Sequence, residues 1–284
     1  MKRWRGSREA VVGRNIAEIG CLAYDLEMPG TLIVLRHGQS TWNQLNLFTG
    51  WHDVPLTPLG ITEAKAAGVT LRQAGMHFGA VHTSVLERAI DTTQLVLHEL
   101  GQDSLPVAKT WLLNERHYGA LQGLDKKATT ELHGAEQTMI WRRSFDVAPP
   151  PAPLDSPEHP ANEPKYQELV RQGLDKNLLP ATECLKDVLE RVLPYWNDVV
   201  RPQLQAGTNV LVTAHGNSIR ALAMHLEHIS AGDITEMNIP TGVPRRYEFT
   251  DSMEVKSVDF MGDAAAIAAA ADAVSRQATS VRYS

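Results

Sequence analysis

Short apolar runs recur along this chain, and longer stretches of helical spacing separate them. Thr31-Leu32-Ile33-Val34 and Val210-Leu211-Val212 each read as a buried strand. Thr57-Pro58 supplies a capping hydroxyl followed by proline at the first helical position, so a helix runs from there through Ala67 to a stop at Gly75. The pattern then predicts a strand at Ala80–Thr83, a helix from about Val85 to Leu100, and a helix over Thr182–Gln205 that Pro194 and Pro202 break or bound. A strand at Asn209–Thr213 and a helix from Asn217 to about His228 follow. Val243–Thr250 and Val255–Phe260 read as further strands, and Ala264–Val274 as an Ala-rich helix. This order predicts an α/β fold: a three-layer sandwich whose central sheet is mainly parallel, with helices on both faces.

Two segments break the pattern. Residues Pro149–Pro164 hold seven of the sixteen prolines and read as a long loop. In the first fourteen positions Lys2, Arg3, Arg5, Arg8 and Arg14 face only Glu9, and no continuous apolar stretch follows. Residues 1–29 therefore read as an extension, disordered or upstream of a start at Met28, with a targeting segment as the alternative. Residues 30–284 read as a single catalytic domain.

The bulk numbers narrow the chemistry. A hydrophobic share of 43% supports a sizeable core, and a net charge of −6 gives no support to nucleic acid as a partner. No apolar stretch is long enough to span a bilayer. Two cysteines, Cys21 and Cys184, form no metal-ligand pattern and suit a reducing, intracellular setting, with Cys184 a small half-buried residue.

Both apolar runs end at a His-Gly pair: Leu35-Arg36-His37-Gly38 and Ala214-His215-Gly216. In an open α/β sheet the ligand crevice lies outside the carboxyl ends of the strands. Two histidines delivered there, one behind an arginine, point to phosphoryl chemistry, which needs a nucleophile, cations around the phosphoryl oxygens and a proton donor. His37 is the candidate nucleophile, and His215 a donor to the phosphoryl oxygens. Arg36 and Arg88 are candidate phosphate clamps. Asn43 and Asn217 sit where helix starts present backbone donors. Glu115 is a candidate general acid/base, or else a structural ion pair with Arg116.

These segments lie within longer ones: Leu35-Arg36-His37-Gly38-Gln39-Ser40-Thr41-Trp42-Asn43, Phe48-Thr49-Gly50-Trp51, Thr83 to Ile90, Leu113 to Gly123, Trp141-Arg142-Arg143, Ala214 to Ser218 and Asn238 to Pro244. On these motifs the chain closely resembles the cofactor-dependent phosphoglycerate mutases of the histidine phosphatase superfamily, from about Thr31 to Val274. Gln39 stands where many of that family carry Glu.

The resemblance implies interconversion of 2-phosphoglycerate and 3-phosphoglycerate in glycolysis and gluconeogenesis, with His37 carrying the phosphoryl group. It implies 2,3-bisphosphoglycerate as the priming donor and no metal. His215, Arg36 and Arg88 would surround the phosphoryl group, and Glu115 would move the proton. Asn43, Thr49, Gly50, Tyr118, Lys126, Arg142, Arg143, Gly216 and Asn217 would line the substrate pocket. A cytoplasmic homodimer or homotetramer acting on small phosphorylated three-carbon acids is implied, without nucleic acid or membrane as partner. The Pro-rich loop and the Ala-rich tail are candidate covers. The competing expectations are a phosphatase of the same superfamily and a non-catalytic phosphate-binding protein.

Overall fold

Strand β1 (Leu32–Arg36) is buried along its whole length, because its two faces meet different cores. Leu32 and Val34 point into one apolar cluster, while Ile33 and Leu35 point into the other. This is the period-two alternation of a strand sandwiched between two helical layers. The computed structural model from which this is read describes residues 28–279. The expectations for residues 1–27, Cys21 among them, and for Ser280–Ser284 lie outside the described residues.

The described chain builds one six-stranded sheet in the order β3-β2-β4-β1-β5-β6. Here β2 is Ala80–Thr83, β3 Val107–Lys109, β4 Val210–Ala214, β5 Pro244–Phe249 and β6 Val255–Phe260. Strands β3, β2, β4 and β1 pair parallel, whereas β5 pairs antiparallel with both β1 and β6. The sheet is thus mainly parallel, as the sequence predicts. The edge strand β3, with only Val107 half-buried, carries too little apolar pattern to be seen in sequence.

A single turn, α1 (Thr41–Gln44), follows β1, capped by Ser40 and Asn43 reciprocally. Next comes α2 (Pro58–Gln73), whose cap Thr57 accepts Gly60 N–H, and whose chain turns away at Gly75 with φ +69°. Its buried face, Ala64, Ala67, Gly68 and Leu71, packs against α3 (Glu87–Leu100) on one side of the sheet. On the other side lie α7 (Leu185–Tyr195) and α9 (Gly216–Leu226). Because α2 leaves β1 for one face and α9 leaves β4 for the other, the adjacent ends of β1 and β4 form a topological switch point.

The region predicted as one helix over Thr182–Gln205 begins at Leu185, and neither proline breaks it. The path runs through α7, a π turn at Trp196–Val200 and α8 (Arg201–Gln205). Pro194 and Pro202 each lack an N–H, and between them Arg201 N–H reaches back five residues to the Trp196 carbonyl. The ladder widens instead of stopping.

Three short helices were not legible: α4 (Lys126–His133), α5 (Ala135–Arg143) and α6 (Pro164–Arg171). Each buries a single residue, so none carries an apolar stripe. The Pro-rich segment is a loop, as predicted, with a 3₁₀ turn at Pro160–Asn162, and its last proline opens α6. The Ala-rich helix α10 spans Ala264–Thr279. Cys184 is fully buried rather than half-buried, and free.

Candidate active site

At the switch point the β1–β4 ladder continues for one more bond, from His37 N–H to the Ala214 carbonyl at 3.1 Å. This brings the rings of His37 and His215 to 4.9 Å between centroids. Gly38 is needed here because α2 starts so close by: a Cβ on Gly38 would lie 2.2 Å from the Gly60 carbonyl oxygen.

His37 Nδ1 lies 2.7 Å from the Gly38 carbonyl. A carbonyl only accepts, so Nδ1 carries the proton and Nε2 presents its lone pair. Burial, reinforced by the charges of Arg88 and Arg36, holds the His37 pKa well below the ordinary imidazole value. The ring is neutral with a fixed tautomer. Arg88 reaches Nε2 through its Nε at 3.3 Å, while its two Nη atoms donate to the His52 and Gly50 carbonyls at 2.9 Å each.

His215 is fully buried, and its Nε2 lies 2.7 Å from Ser84 Oγ. Burial, then Arg88 and His37, keep its pKa well below the ordinary value as well. Its Nδ1 has no hydrogen-bond partner.

The cleft beside these rings spans about 740 Å³, open mouth included. Arg36, His37, Asn43, Thr49, Gly50, Arg88, Glu115, Tyr118, Lys126, Arg142, Arg143, Gly216 and Asn217 line it, so every site residue predicted from sequence is there except His215, whose ring lies tilted against that of His37. Glu115 is 8% exposed and does not pair with the Arg116 guanidinium. Its Oε1 accepts the backbone N–H groups of Arg116 at 2.7 Å and Asn217 at 3.1 Å. Arg116 instead donates to the Arg142 carbonyl and lies 4.6 Å from the Tyr118 ring, with its Nε and Nη1 unpartnered.

Cations dominate this cleft. Burial, then the charges of Arg142 and Arg36, push Lys126 down to about 7. Burial foremost lowers Arg88 and Arg142 to about 10 and Arg220 to about 9. Burial pushes the Tyr118 phenol up, but Arg116 and Arg142 together turn the net direction down. Buried like charges of this density destabilise one another until an anion enters. The unpartnered Nε atoms of Arg36 and Arg116 and Nδ1 of His215 are donors waiting for acceptors. A small, highly phosphorylated acid fits that donor set. Among the described residues no group of three or more His, Cys, Asp or Glu side chains is placed to hold a metal ion.

Sequence reading missed several contributors. Arg220 lines the cleft one turn along α9 from Asn217 and donates to its Oδ1 at 3.0 Å, a spacing that the helix period could have exposed. Met237, Asn238 and Ile239 come from an irregular loop, and the Ile239 carbonyl accepts Arg36 at 2.7 Å. Val274, from α10, also lines the cleft, while no residue of Pro149–Pro164 does.

Fold and site together define a phosphoryl-handling enzyme with two histidines at the heart of a cationic cleft. The chain belongs to the histidine phosphatase superfamily (branch 1), whose family model matches residues 32–162 and 152–257. It is 51% identical over 250 residues to a curated 2,3-bisphosphoglycerate-dependent phosphoglycerate mutase of Xylella fastidiosa (strain M12), covering 88% of this chain and 98% of the relative. Among crystal structures, a phosphoglycerate mutase from Bacillus anthracis str. Sterne aligns with TM-score 0.59 and 22% identity over 86% of this chain and 97% of its own. A mycobacterial glucosyl-3-phosphoglycerate phosphatase in complex with VO3 aligns with TM-score 0.62 and 24% identity over 81% and 98%. The last two establish the shared fold.

Proposed function

We propose that this chain interconverts 2-phosphoglycerate and 3-phosphoglycerate through a phosphohistidine at His37. The observation that carries the reading is the unprotonated Nε2 of a neutral His37, touched only by the Arg88 guanidinium at 3.3 Å and facing a cleft that holds arginines, a half-buried lysine and one carboxylate, Glu115. The similarity to a curated mutase over 88% of the chain supports it. 2,3-Bisphosphoglycerate, when bound, supplies the first phosphoryl group to His37.

The roles of the chain's own residues follow. Arg36 and Arg88 spread charge over the phosphoryl oxygens, and His215 donates through Nδ1. Glu115 takes the proton of the attacking substrate hydroxyl as the phosphorus–nitrogen bond breaks and its electron pair returns to His37 Nε2. In the return half it gives that proton to the departing oxygen. Lys126, Arg142, Arg143 and Tyr118 hold the substrate carboxylate and second phosphate; Asn43, Thr49, Gly50, Gly216 and Asn217 shape the pocket around them.

No step in this scheme draws on a metal. The proposal carries with it a cytoplasmic homodimer or homotetramer, without nucleic acid or membrane as partner. The acidic net charge of −6 supports the exclusion of nucleic acid, and no described helix is long and apolar enough to cross a membrane. Sedimentation of the purified protein tests the assembly.

The decisive experiment follows 3-phosphoglycerate conversion with and without 2,3-bisphosphoglycerate, in EDTA, for the wild type and His37→Ala. Cofactor-stimulated, EDTA-resistant turnover that vanishes in the variant is expected. Phosphate release without isomerisation moves the chain to the phosphatases, and neither activity sinks the enzymatic reading.

A further inference from the structure

Behind Glu115, outside the cleft, lies a buried ion pair that the scheme above does not use. Glu183 and Arg191 are 3% and 9% exposed, and the Arg191 Nε and Nη2 atoms meet the two carboxylate oxygens at 2.7 and 3.0 Å. The spare donors and acceptors of the pair all go to one short stretch of backbone. Arg191 Nη1 donates to the Leu112 carbonyl at 2.7 Å and Nη2 to the Glu115 carbonyl at 2.9 Å. Glu183 Oε2 accepts His117 N–H at 2.8 Å, and Glu183 N–H donates to the His117 carbonyl at 2.9 Å. Trp51 Nε1 adds a second donor on the Glu115 carbonyl at 2.5 Å, and the Arg191 guanidinium lies 5.6 Å from the Trp51 ring centre.

The stretch so gripped, Leu112 to His117, has little regular structure of its own: a 3₁₀ turn ends at Leu113. Apart from the Arg116 N–H on its own carboxylate, Glu115 has no helix or strand bond to fix it. Within a helix, side chains lean toward the N-terminus. Arg191, on α7, reaches back in that direction to Glu183, which lies just ahead of the helix, and the fork closes on both sides of Glu115. A buried ion pair gains little net stability once desolvation is subtracted. What this one delivers is a fixed backbone on either side of the proton-transferring carboxylate.

We propose that Glu183 and Arg191 are positioning residues that aim the Glu115 carboxylate at the oxygen gaining or losing its proton. The inference rests on the reading of Glu115 as the proton donor and acceptor. It separates the two halves of the chemistry: His37 and His215 follow β1 and β4, Arg88 sits on α3 with the Gly50 and His52 carbonyls on its guanidinium, and among these groups only Glu115 has its own backbone hydrogen-bonded to the pair.

The test is leaving-group dependence. Attack by His37 Nε2 breaks the phosphorus–oxygen bond of a phosphate monoester, and the electron pair leaves on the oxygen. Phenyl phosphate needs a proton from Glu115 at that oxygen, whereas 2,4-dinitrophenyl phosphate departs as a stable phenolate without one. Phosphohistidine formation is followed in a single turnover for the wild type, Arg191→Met, Arg191→Lys and Glu183→Gln. Arg191→Met is expected to slow transfer from phenyl phosphate by about 10²-fold, the cost of a misplaced catalytic group, and to leave transfer from the dinitrophenyl ester nearly unchanged. Arg191→Lys, which keeps the charge without the fork, falls between. Should Arg191→Met not fold, Glu183→Gln, which keeps the size and an acceptor for His117 N–H, is expected to show the same selective loss in smaller measure. Equal slowing with both esters in folded variants overturns the proposal, because a merely structural role does not sense the leaving group. No slowing with either overturns it too. Isomerisation of 3-phosphoglycerate by the wild type is measured in the same samples. If that is absent while the selective loss holds, the mutase reading falls and the positioning role stands.

Discussion

Ser84 acts on the chemistry through one hydrogen bond. Its Oγ accepts Leu86 N–H at 3.2 Å and lies 2.7 Å from His215 Nε2, to which its hydroxyl, lying between the two, can give its proton. The neutral His215 ring therefore keeps its proton on Nδ1, the atom without a protein partner. Ser84→Ala is expected to release the tautomer and lower kcat by about 10-fold to 10²-fold, below the cost of deleting a donor outright, with KM little changed. An unaltered kcat, or an unshifted nitrogen resonance of His215, would rule this out.

Lys126 gives a pH signature whose sign is fixed. With its pKa pushed down to about 7 in the empty cleft, the ammonium is charged below that pH and neutral above it. Affinity for an anionic substrate is full below about 7 and declines as pH rises through it. KM for 3-phosphoglycerate is expected to climb by up to about tenfold per pH unit there, and Lys126→Met should flatten the climb. Parallel profiles for the two proteins would exclude Lys126 as the source. The residue types at these positions were legible, because arginine, histidine and a carboxylate announce phosphate chemistry. Their pKa values were not, since burial and the approach of Arg142 are long-range facts.

At the scale of elements, α10 and the Pro-rich loop divide a role that the sequence offered to both. Val274 lines the cleft and no residue of Pro149–Pro164 does, which makes α10 the candidate cover among the described elements. Truncation after Gly262 is expected to raise phosphate release from 2,3-bisphosphoglycerate several-fold relative to isomerisation, because an open cleft admits water. An unchanged ratio would rule the tail out.

The Pro-rich loop works from behind instead. The Glu158 carbonyl takes His117 Nε2 at 3.0 Å and Gln122 Nε2 at 3.2 Å, and the helix that follows, α6, brings Tyr166 onto Trp51 at 5.0 Å between rings. Trp51, Tyr166 and Leu179 form a small core of their own under the loop whose Gly50 and His52 carbonyls grip Arg88. Tyr166→Ala is expected to cost about 3–5 kcal/mol in denaturant unfolding, as for other buried aromatics. A loss under about 1 kcal/mol would show that this core bears little weight.

The elements that sequence revealed carry periodicity, a cap or a strong propensity: β1, β2, β4, β5, β6, α2, α3, α9 and the Ala-rich α10. Those it hid, β3, α4, α5 and α6, bury too few side chains to write a pattern.

For the molecule as a whole, an acidic chain of net charge −6 brings six of its 27 lysines and arginines into one cleft. That arrangement is strained until an anion arrives. At about a hundred times its Kd, 3-phosphoglycerate should add about 2.7 kcal/mol of stability and raise Tm by about 5–10 °C. The rise should shrink in high salt. A Tm indifferent to ligand would contradict a preformed cationic site.

The sequence by itself determined the mainly parallel sheet, the two strands that end in His-Gly and the histidine proposed as nucleophile. Apolar period, capping and turn chemistry are local, and they act before any long-range contact forms. Only the tertiary structure decided that Glu115 faces Asn217 instead of pairing with Arg116, and that Arg220 and Val274 reach the cleft. Only it closed Glu183 and Arg191 around Glu115. Those contacts join residues tens of positions apart, and their energies depend on burial and on the unpaired groups nearby, which no stretch of sequence encodes alone.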